Sequence, residues 1–128
     1  MKIILFLCLL PVLIWGQTKD NIDLIELEIK NRKYNFGNVK QDTLISKTFI
    51  LKNVSKKDIA LNMSSTSCIC TEAKLNKNKL APNEEAKLIM KFDTTGKIGE
   101  SKVYAIIDSN TEQQFYRFLI FGNVIKKE

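Results

Sequence analysis

Residues 43–53 read TLISKTFILKN. The odd-numbered positions carry Ile45, Phe49 and Leu51, whereas the even-numbered positions are mostly polar, as at Ser46. Side chains of a β-strand point alternately to its two faces, so this period of two predicts a strand with one buried face. We expect it to be the longest strand in the first half of the chain.

Other segments of the chain show the same alternation. They are residues 25–29, 59–63, 86–92 and 103–108, and residues 34–39 and 115–125 are predicted as two further strands. Polar turns separate these segments, and in Ala81-Pro82-Asn83-Glu84 the proline takes the first central position of a turn. The last segment is apolar on both faces, which predicts a central or well-covered strand.

The sequence shows no sustained helical period with a cap. About seven short strands at spacings of about ten residues predict an all-β fold, specifically an antiparallel immunoglobulin-like β-sandwich. The Cys-Trp-Cys core of antibody domains is absent, because the single tryptophan, Trp15, stands close to the N-terminus. A chain of 128 residues with 45% hydrophobic content is long enough for one such domain.

Residues 1–16 are interpreted as a secretory signal peptide, because Lys2 precedes an apolar run that ends at Trp15. This run of about 13 residues is too short to cross a bilayer, which takes roughly 20 apolar residues. Residues 17–23 follow as a polar spacer and residues 24–128 as the folded domain. We therefore expect an exported protein, periplasmic or secreted, with no membrane span after signal cleavage.

The charged residues argue against two classes of function. The formal net charge of +6 comes from lysines spread over many segments, without a dense basic block, so nucleic acid is a poor candidate partner. The chain has no histidine, which removes the commonest general base and the usual serine or cysteine catalytic dyads. We therefore predict that the protein is not an enzyme and uses no cofactor.

Cys68 and Cys70 are the cysteines that remain once Cys8 is removed with the signal peptide. An even number of cysteines in an exported chain is the setting in which a disulfide is normal. On a strand, about 6.6 Å of backbone would separate the two residues, which is near the upper limit for a disulfide. A bulge or a turn would bring them into range, so both a disulfide and an open dithiol are consistent with the sequence.

The cysteine pair also fits a soft metal ion. Two thiolates on one face could bind copper(I), with the thioethers of Met63 and Met90 as further ligands. A structural zinc site takes four Cys or His ligands, so zinc would require two thiolates from a second copy of the chain. Copper(I) binding is therefore the alternative to the prediction that the protein uses no cofactor.

Five motifs resemble those of the DUF1573 family, small exported bacterial proteins related in fold to the ASH and major-sperm-protein immunoglobulin-like domains. The motifs are Tyr34-Asn35-Phe36-Gly37-Asn38-Val39, Phe49-Ile50-Leu51-Lys52-Asn53, Ser67-Cys68-Ile69-Cys70-Thr71, Leu80-Ala81-Pro82-Asn83-Glu84 and Ile120-Phe121-Gly122-Asn123-Val124. The chain carries Asn35 in place of the family's acid, and Ile69 and Asn83 in place of glycines. The resemblance covers residues 25–125 and implies the fold and export, but no activity.

The leading hypothesis is an exported, non-catalytic immunoglobulin-like module of the bacterial cell envelope with a binding or structural role. A protein partner would bind at a sheet edge, where free backbone groups accept an added strand, or at the loops of one end. Tyr34, Phe36 and Val39 are the candidate interface, together with the final strand. The alternative is an extracytoplasmic thiol site, in which Cys68 and Cys70 bind copper(I) or exchange disulfides.

Overall fold

The structure, a computed structural model, describes residues 25–127, and the predicted signal peptide and spacer lie outside the described residues. Within this range the chain forms nine β-strands and no helix that could cross a membrane. The strands are β1 (Leu27–Glu28), β2 (Lys33–Lys40), β3 (Leu44–Asn53), β4 (Ile59–Thr66), β5 (Thr71–Leu75), β6 (Lys79–Leu80), β7 (Glu85–Asp93), β8 (Gly99–Ser109) and β9 (Phe115–Ile125).

The strands form two sheets that pack face to face. One sheet has the order β1-β3-β7-β5 and the other the order β2-β9-β8-β4-β6. Every neighbouring pair is antiparallel except β2 and β9, which run parallel from Lys33 beside Leu119 to Lys40 beside Ile125. The predicted β-sandwich is therefore confirmed, with one parallel pair at the edge of the larger sheet.

The predicted buried faces form the core between the sheets. In β3, Ile45, Phe49 and Leu51 have at most 7% of their surface exposed. The apolar positions of the other long strands are buried in the same way: Ile59, Leu61, Ala86, Leu88, Met90, Phe92, Val103, Ala105, Ile107, Phe118, Ile120 and Val124. Alternation thus assigned the inward side of β3, β4, β7 and β8, and these predictions are confirmed. β9, which is apolar on both faces, lies between β2 and β8, as expected of a central strand.

Two strands were not predicted. β5 and β6 lie outside the segments predicted as strands, because β5 is rich in small and charged residues and β6 has only two residues. The first predicted strand, residues 25–29, is reduced to β1, since the chain crosses to the other sheet over residues 29–32 and joins the free edge of β9. That crossing explains the parallel pair.

Edge strand β2 contains a bulge. Gly37 has a φ of +77°, in the left-handed region that glycine tolerates, and the pairing with β9 shifts between Asn35 and Gly37. The extra residue leaves both Phe36 and Val39 pointing inward although they are three positions apart. The bend predicted at Gly37 is therefore present, and it interrupts the flat edge that another strand would need for pairing.

Asn53, at the end of β3, is fully buried and all of its side-chain hydrogen-bonding groups have partners. Its Nδ2 donates to the carbonyl oxygens of Lys57 at 2.7 Å and Leu80 at 3.0 Å. Its Oδ1 accepts from the backbone N–H of Ser55 at 2.9 Å and from the Ser55 hydroxyl at 2.7 Å. One side chain therefore joins β3, the turn that follows it and the short strand β6.

The backbone of Asn53 also holds the turn before β7. Its N–H donates to the Glu84 carbonyl at 3.0 Å, and its carbonyl accepts from the Asn83 N–H at 2.7 Å. Asn83 has a φ of +71°, which asparagine tolerates better than most residues other than glycine. The predicted turn around Pro82 is thus attached directly to the end of β3.

Replacing Asn53 by Ala should lower the free energy of unfolding by about 2 kcal/mol, because the buried Leu80 carbonyl and the half-buried Ser55 N–H lose a partner. Asn62→Ala is the matched control, since Asn62 lies exposed on β4, and it should change stability by less than about 0.5 kcal/mol. Urea unfolding followed by circular dichroism measures both. Equal effects of the two substitutions would contradict this role of Asn53.

Glu26 ties the N-terminal segment to two turns. Its carboxylate accepts a hydrogen bond from the Glu112 backbone N–H at 2.8 Å and pairs with the Lys57 ammonium at 3.0 Å. These two partners, the Glu112 amide first, hold the pKa of Glu26 below its ordinary value of 4.5. The ionised form is therefore favoured in the folded protein.

A lowered pKa in the folded state contributes stability above the unfolded-state pKa, and this contribution is lost as the pH falls through the folded-state pKa. The Glu26→Gln variant keeps an acceptor for the Glu112 amide but has no charge. We expect the variant to be less stable than the original protein at pH 7, with the difference shrinking below pH 4.5. Thermal unfolding between pH 7 and pH 3 measures it, and a difference independent of pH would refute the assignment.

Candidate functional site: a disulfide-closed corner

The motif Ser67-Cys68-Ile69-Cys70 lies in the connection that carries the chain from β4 in one sheet to β5 in the other. The two cysteines are joined by a disulfide and their Cα atoms are 5.2 Å apart. The Thr71 N–H donates to the Cys68 carbonyl at 3.0 Å and closes a turn. The turn, rather than a strand, therefore places the cysteines closer than the spacing expected for an extended chain.

Hydrogen bonds attach this corner to both sheets. The Ser67 N–H donates to the Tyr104 carbonyl at 2.9 Å, and the Ser67 hydroxyl accepts from the Tyr104 N–H at 2.9 Å. On the other side, the Asp93 N–H donates to the Cys70 carbonyl at 3.1 Å. The corner is thus held by β8 of one sheet and by β7 of the other.

The apex of the corner is apolar and exposed. Ile69 has a relative exposure of 104%, so its whole side chain projects into solvent. Leu44, at the start of β3, is 62% exposed. Both residues line a shallow depression of about 410 Å³ together with Cys70 and Thr95. The surface next to the disulfide therefore offers two aliphatic side chains on a rigid support.

Charged side chains complete this depression. Glu72 faces Lys91 across the β5–β7 pair, and Asp93 stands at the end of β7. The Thr95 backbone N–H donates to the Asp93 carboxylate at 3.0 Å and the Thr95 hydroxyl at 2.8 Å. These two bonds, the amide first, lower the pKa of Asp93 from its ordinary value, so the carboxylate stays ionised.

The two sulfur atoms have different surroundings. The Cys70 backbone N–H points at Cys68 Sγ with a separation of 3.0 Å. Cys70 Sγ has the Thr71 hydroxyl oxygen at 3.8 Å as its polar neighbour. Both cysteines are only partly buried and rest against the core. A negative charge on Cys68 Sγ would therefore have a backbone amide donor that a charge on Cys70 Sγ would not.

The two methionines suggested as copper(I) ligands lie in different sheets. Met90 is fully buried in the middle of β7, opposite Ala73, three residues before Asp93. Met63 is partly buried on β4, where it pairs with Ile107 of β8. Within residues 25–127, no three His, Cys, Asp or Glu side chains gather where they could hold a metal ion. Copper(I) binding at Cys68 and Cys70 stays a prediction.

The candidate interface residues Tyr34, Phe36 and Val39 are partly buried and lie against the core. The Phe36 ring centroid is 5.9 Å from that of Phe92 in the other sheet, and the Lys47 ammonium of β3 lies 4.8 Å from the centre of the Tyr34 ring. The three side chains therefore fill the seam where the edges of the two sheets meet. An interface role for them stays a prediction.

Gly122 allows Phe36 to take this position. A Cβ atom at residue 122 would lie 2.5 Å from two carbons of the Phe36 ring and 2.7 Å from the Gly37 carbonyl oxygen. Glycine is therefore needed for β2 to approach β9 with the Phe36 ring over it. The final strand, β9, lies between β2 and β8, and β2 covers its edge from Leu119 to Ile125.

The fold defines the class of protein: a two-sheet immunoglobulin-like β-sandwich with a disulfide-closed corner between its sheets. Within this class, the chain belongs to the DUF1573 family, described as a protein of unknown function, which it matches over residues 27–124. The resemblance indicated by the sequence motifs is thereby confirmed. No curated protein matches the sequence.

Three solved structures share the fold. An ASH/PapD-like domain of human CEP192 (PapD-like domain 7) is 12% identical with a TM-score of 0.63, over 92% of this chain and 100% of that one. A protein of unknown function from Porphyromonas gingivalis W83 is 14% identical with a TM-score of 0.66, over 76% of this chain and 46% of that one. The YadV chaperone is 12% identical with a TM-score of 0.55, over 78% and 52%. At these identities the likeness shows the fold alone.

Replacing Phe36 by Ala should lower the free energy of unfolding by about 2 to 3 kcal/mol, less than for a fully buried phenylalanine, because part of the ring is exposed. Phe115→Ala is the matched control, since Phe115 is 50% exposed, and it should cost about 1 kcal/mol or less. Urea unfolding measures both. Unchanged stability in Phe36→Ala would show that the ring is available to a partner instead of filling the seam.

Proposed function

We propose that this protein is an exported, non-catalytic module of the bacterial cell envelope that binds another protein through its disulfide-closed corner. The observation that carries the proposal is Ile69, a fully exposed aliphatic side chain at the apex of a turn that is closed by a disulfide. Leu44 extends the apolar surface beside it. A partner with a small apolar pocket would cover both side chains.

The rigidity of the corner supports this role. Binding is weakened by the free energy needed to order a flexible loop, and a loop that is already ordered avoids that cost. Here the turn is tied to Tyr104 on one side and to Asp93 on the other, and the disulfide closes it. Ile69 is therefore held in one place before a partner arrives, as is typical of an anchor residue in a protein interface.

The fold is compatible with a binding role. One similar structure is a chaperone, YadV, and another is an ASH/PapD-like domain. Within residues 25–127, the carboxylates with a displaced pKa, Glu26, Glu84 and Asp93, are shifted by local hydrogen bonds and ion pairs, and each shift favours ordinary ionisation. Such groups are less suited to acid–base catalysis than carboxylates whose pKa is raised toward neutrality.

Export is part of the proposal. Residues 1–16 have the composition of a secretory signal, and cleavage after Gly16 would leave a mature chain of residues 17–128. A disulfide between Cys68 and Cys70 persists in an oxidising compartment such as the periplasm or the exterior. The intact mass of the exported protein would report both the cleavage site and the oxidation state.

Photo-crosslinking tests the binding surface. A photoreactive amino acid is placed at position 69 or, as the control, at position 25, where Ile25 is 67% exposed at the opposite end of the sandwich. After irradiation of intact cells, position 69 should give a discrete crosslinked protein in the envelope fraction, and position 25 should not. The Ile69→Asp substitution should prevent a crosslink from position 44 without changing the melting temperature, because Ile69 contributes no buried surface.

No crosslink from position 69, or the same crosslinked protein from positions 69 and 25, would refute binding at this corner. Recovery of the chain with its first 16 residues still attached and both thiols reduced would refute export. These two outcomes are independent of one another.

A further inference from the structure

We propose that the corner disulfide undergoes exchange with a cysteine of the bound protein, with attack at Cys70 and release of Cys68. This inference rests on the proposed binding at the corner, and it names the chemical feature of the partner. The partner would carry a cysteine in an exposed segment, next to lysine or arginine. The result is a reversible covalent link to that partner.

Access favours attack at Cys70. Cys70 lines the depression that also contains Leu44 and Ile69, whereas Cys68 is not among its lining residues. A partner segment that covers Ile69 would therefore bring its own side chains against Cys70 first. Thiol–disulfide exchange depends on which sulfur the incoming thiolate can reach, so the position of the depression selects Cys70.

The hydrogen bonds at the sulfur atoms favour the same direction. Exchange is faster when the departing sulfur is stabilised as a thiolate. The Cys70 N–H lies 3.0 Å from Cys68 Sγ and would donate to the thiolate formed there. Attack at Cys68 would instead release Cys70, whose polar neighbour, the Thr71 hydroxyl, is 3.8 Å away. Cys68 is therefore the better leaving group.

The exchange step balances without an external oxidant. The thiolate sulfur of the partner attacks Cys70 Sγ and forms a new disulfide bond as the bond between Cys68 and Cys70 breaks. The bonding electron pair leaves on Cys68 Sγ, so the negative charge passes from the partner to Cys68. Attack of the Cys68 thiolate on Cys70 Sγ reverses the step, releases the partner's thiolate and restores the original disulfide.

The charges around Cys70 indicate the sequence context of the partner's cysteine. Two carboxylates, Glu72 and Asp93, line the depression with the Lys91 ammonium, and Glu72 also pairs with the Lys74 ammonium at 3.4 Å. The Asp93 carboxylate is kept ionised by its bonds to Thr95. A cation beside the partner's cysteine would be attracted to the Asp93 carboxylate and would also lower the pKa of that cysteine's thiol, which increases its thiolate fraction. An acidic neighbour would have the opposite effect.

The test uses the exported protein with its native disulfide and two short peptides, Lys-Cys-Lys and Glu-Cys-Glu, both blocked at their ends. After brief incubation at neutral pH, free thiols are alkylated and the adducts are mapped by mass spectrometry. We expect the peptide on Cys70 and the alkyl group on Cys68 in about tenfold excess over the reverse arrangement. The basic peptide should react faster, and the difference should shrink in high salt because screening weakens the attraction.

A second measurement does not depend on the initial attack. In the Cys68→Ser variant, a preformed disulfide between Cys70 and the peptide should persist, because no neighbouring thiolate can displace the peptide. With Cys68 present, the peptide should be released rapidly after purification away from free peptide. The Ser67→Ala variant, which retains both cysteines, serves as the control for a general disturbance of the corner.

Equal labelling of the two cysteines, preferential labelling of Cys68, or faster reaction of the acidic peptide would overturn this proposal. These outcomes leave the crosslink from position 69 unaffected, so they separate the exchange from the binding. Conversely, suppose that position 69 gives no crosslink while the peptide still reacts preferentially at Cys70. That result would refute binding of a partner at the corner, although the disulfide itself would be reactive.

Discussion

The side-chain amide of Asn53 links the end of β3 to the turn that follows it and to the short strand β6. β3 ends at this residue, and its four side-chain hydrogen bonds reach the following turn and the carbonyl of Leu80. Since the residue is fully buried, its removal would take a partner from the buried Leu80 carbonyl and from the Ser55 N–H. The position of β4 relative to β3, and therefore the route to the corner at Cys68, depends on this amide.

Alternation of apolar residues was sufficient to assign the buried faces of β3, β4, β7 and β8, because each strand of a two-layer sandwich has one side against the core. The same signal was weak in β5, where the inward residues Thr71 and Ala73 are small, and absent in β6, which has two residues. The parallel pairing of β2 with β9 was not predicted, because the pattern of one strand does not report which neighbour it joins or in which direction. Long-range contacts decide that choice.

The candidate site was only partly predictable. The cysteine count and the predicted signal peptide pointed to Cys68 and Cys70, but the turn between them depends on hydrogen bonds to β7 and β8 that the local sequence does not encode. The exposure of Ile69 follows from that turn. In an extended strand, the two cysteines would point to one face of the sheet and Ile69 to the other. The aromatic and apolar residues around Phe36 are consistent both with a partner-binding edge and with a seam between the sheets, so the sequence did not distinguish the two. In the structure, the bulge at Gly37 directs these side chains toward the core.

The parallel contact between β2 and β9 also determines when folding can be completed. β2 begins at Lys33 and its neighbour in the sheet begins at Phe115, so the two strands come from opposite ends of the domain. The larger sheet therefore cannot gain its edge strand until nearly all of the chain has been synthesised, and contacts of such long sequence separation form slowly. The pairing of β2 with β9 is therefore among the last contacts that the growing chain can form.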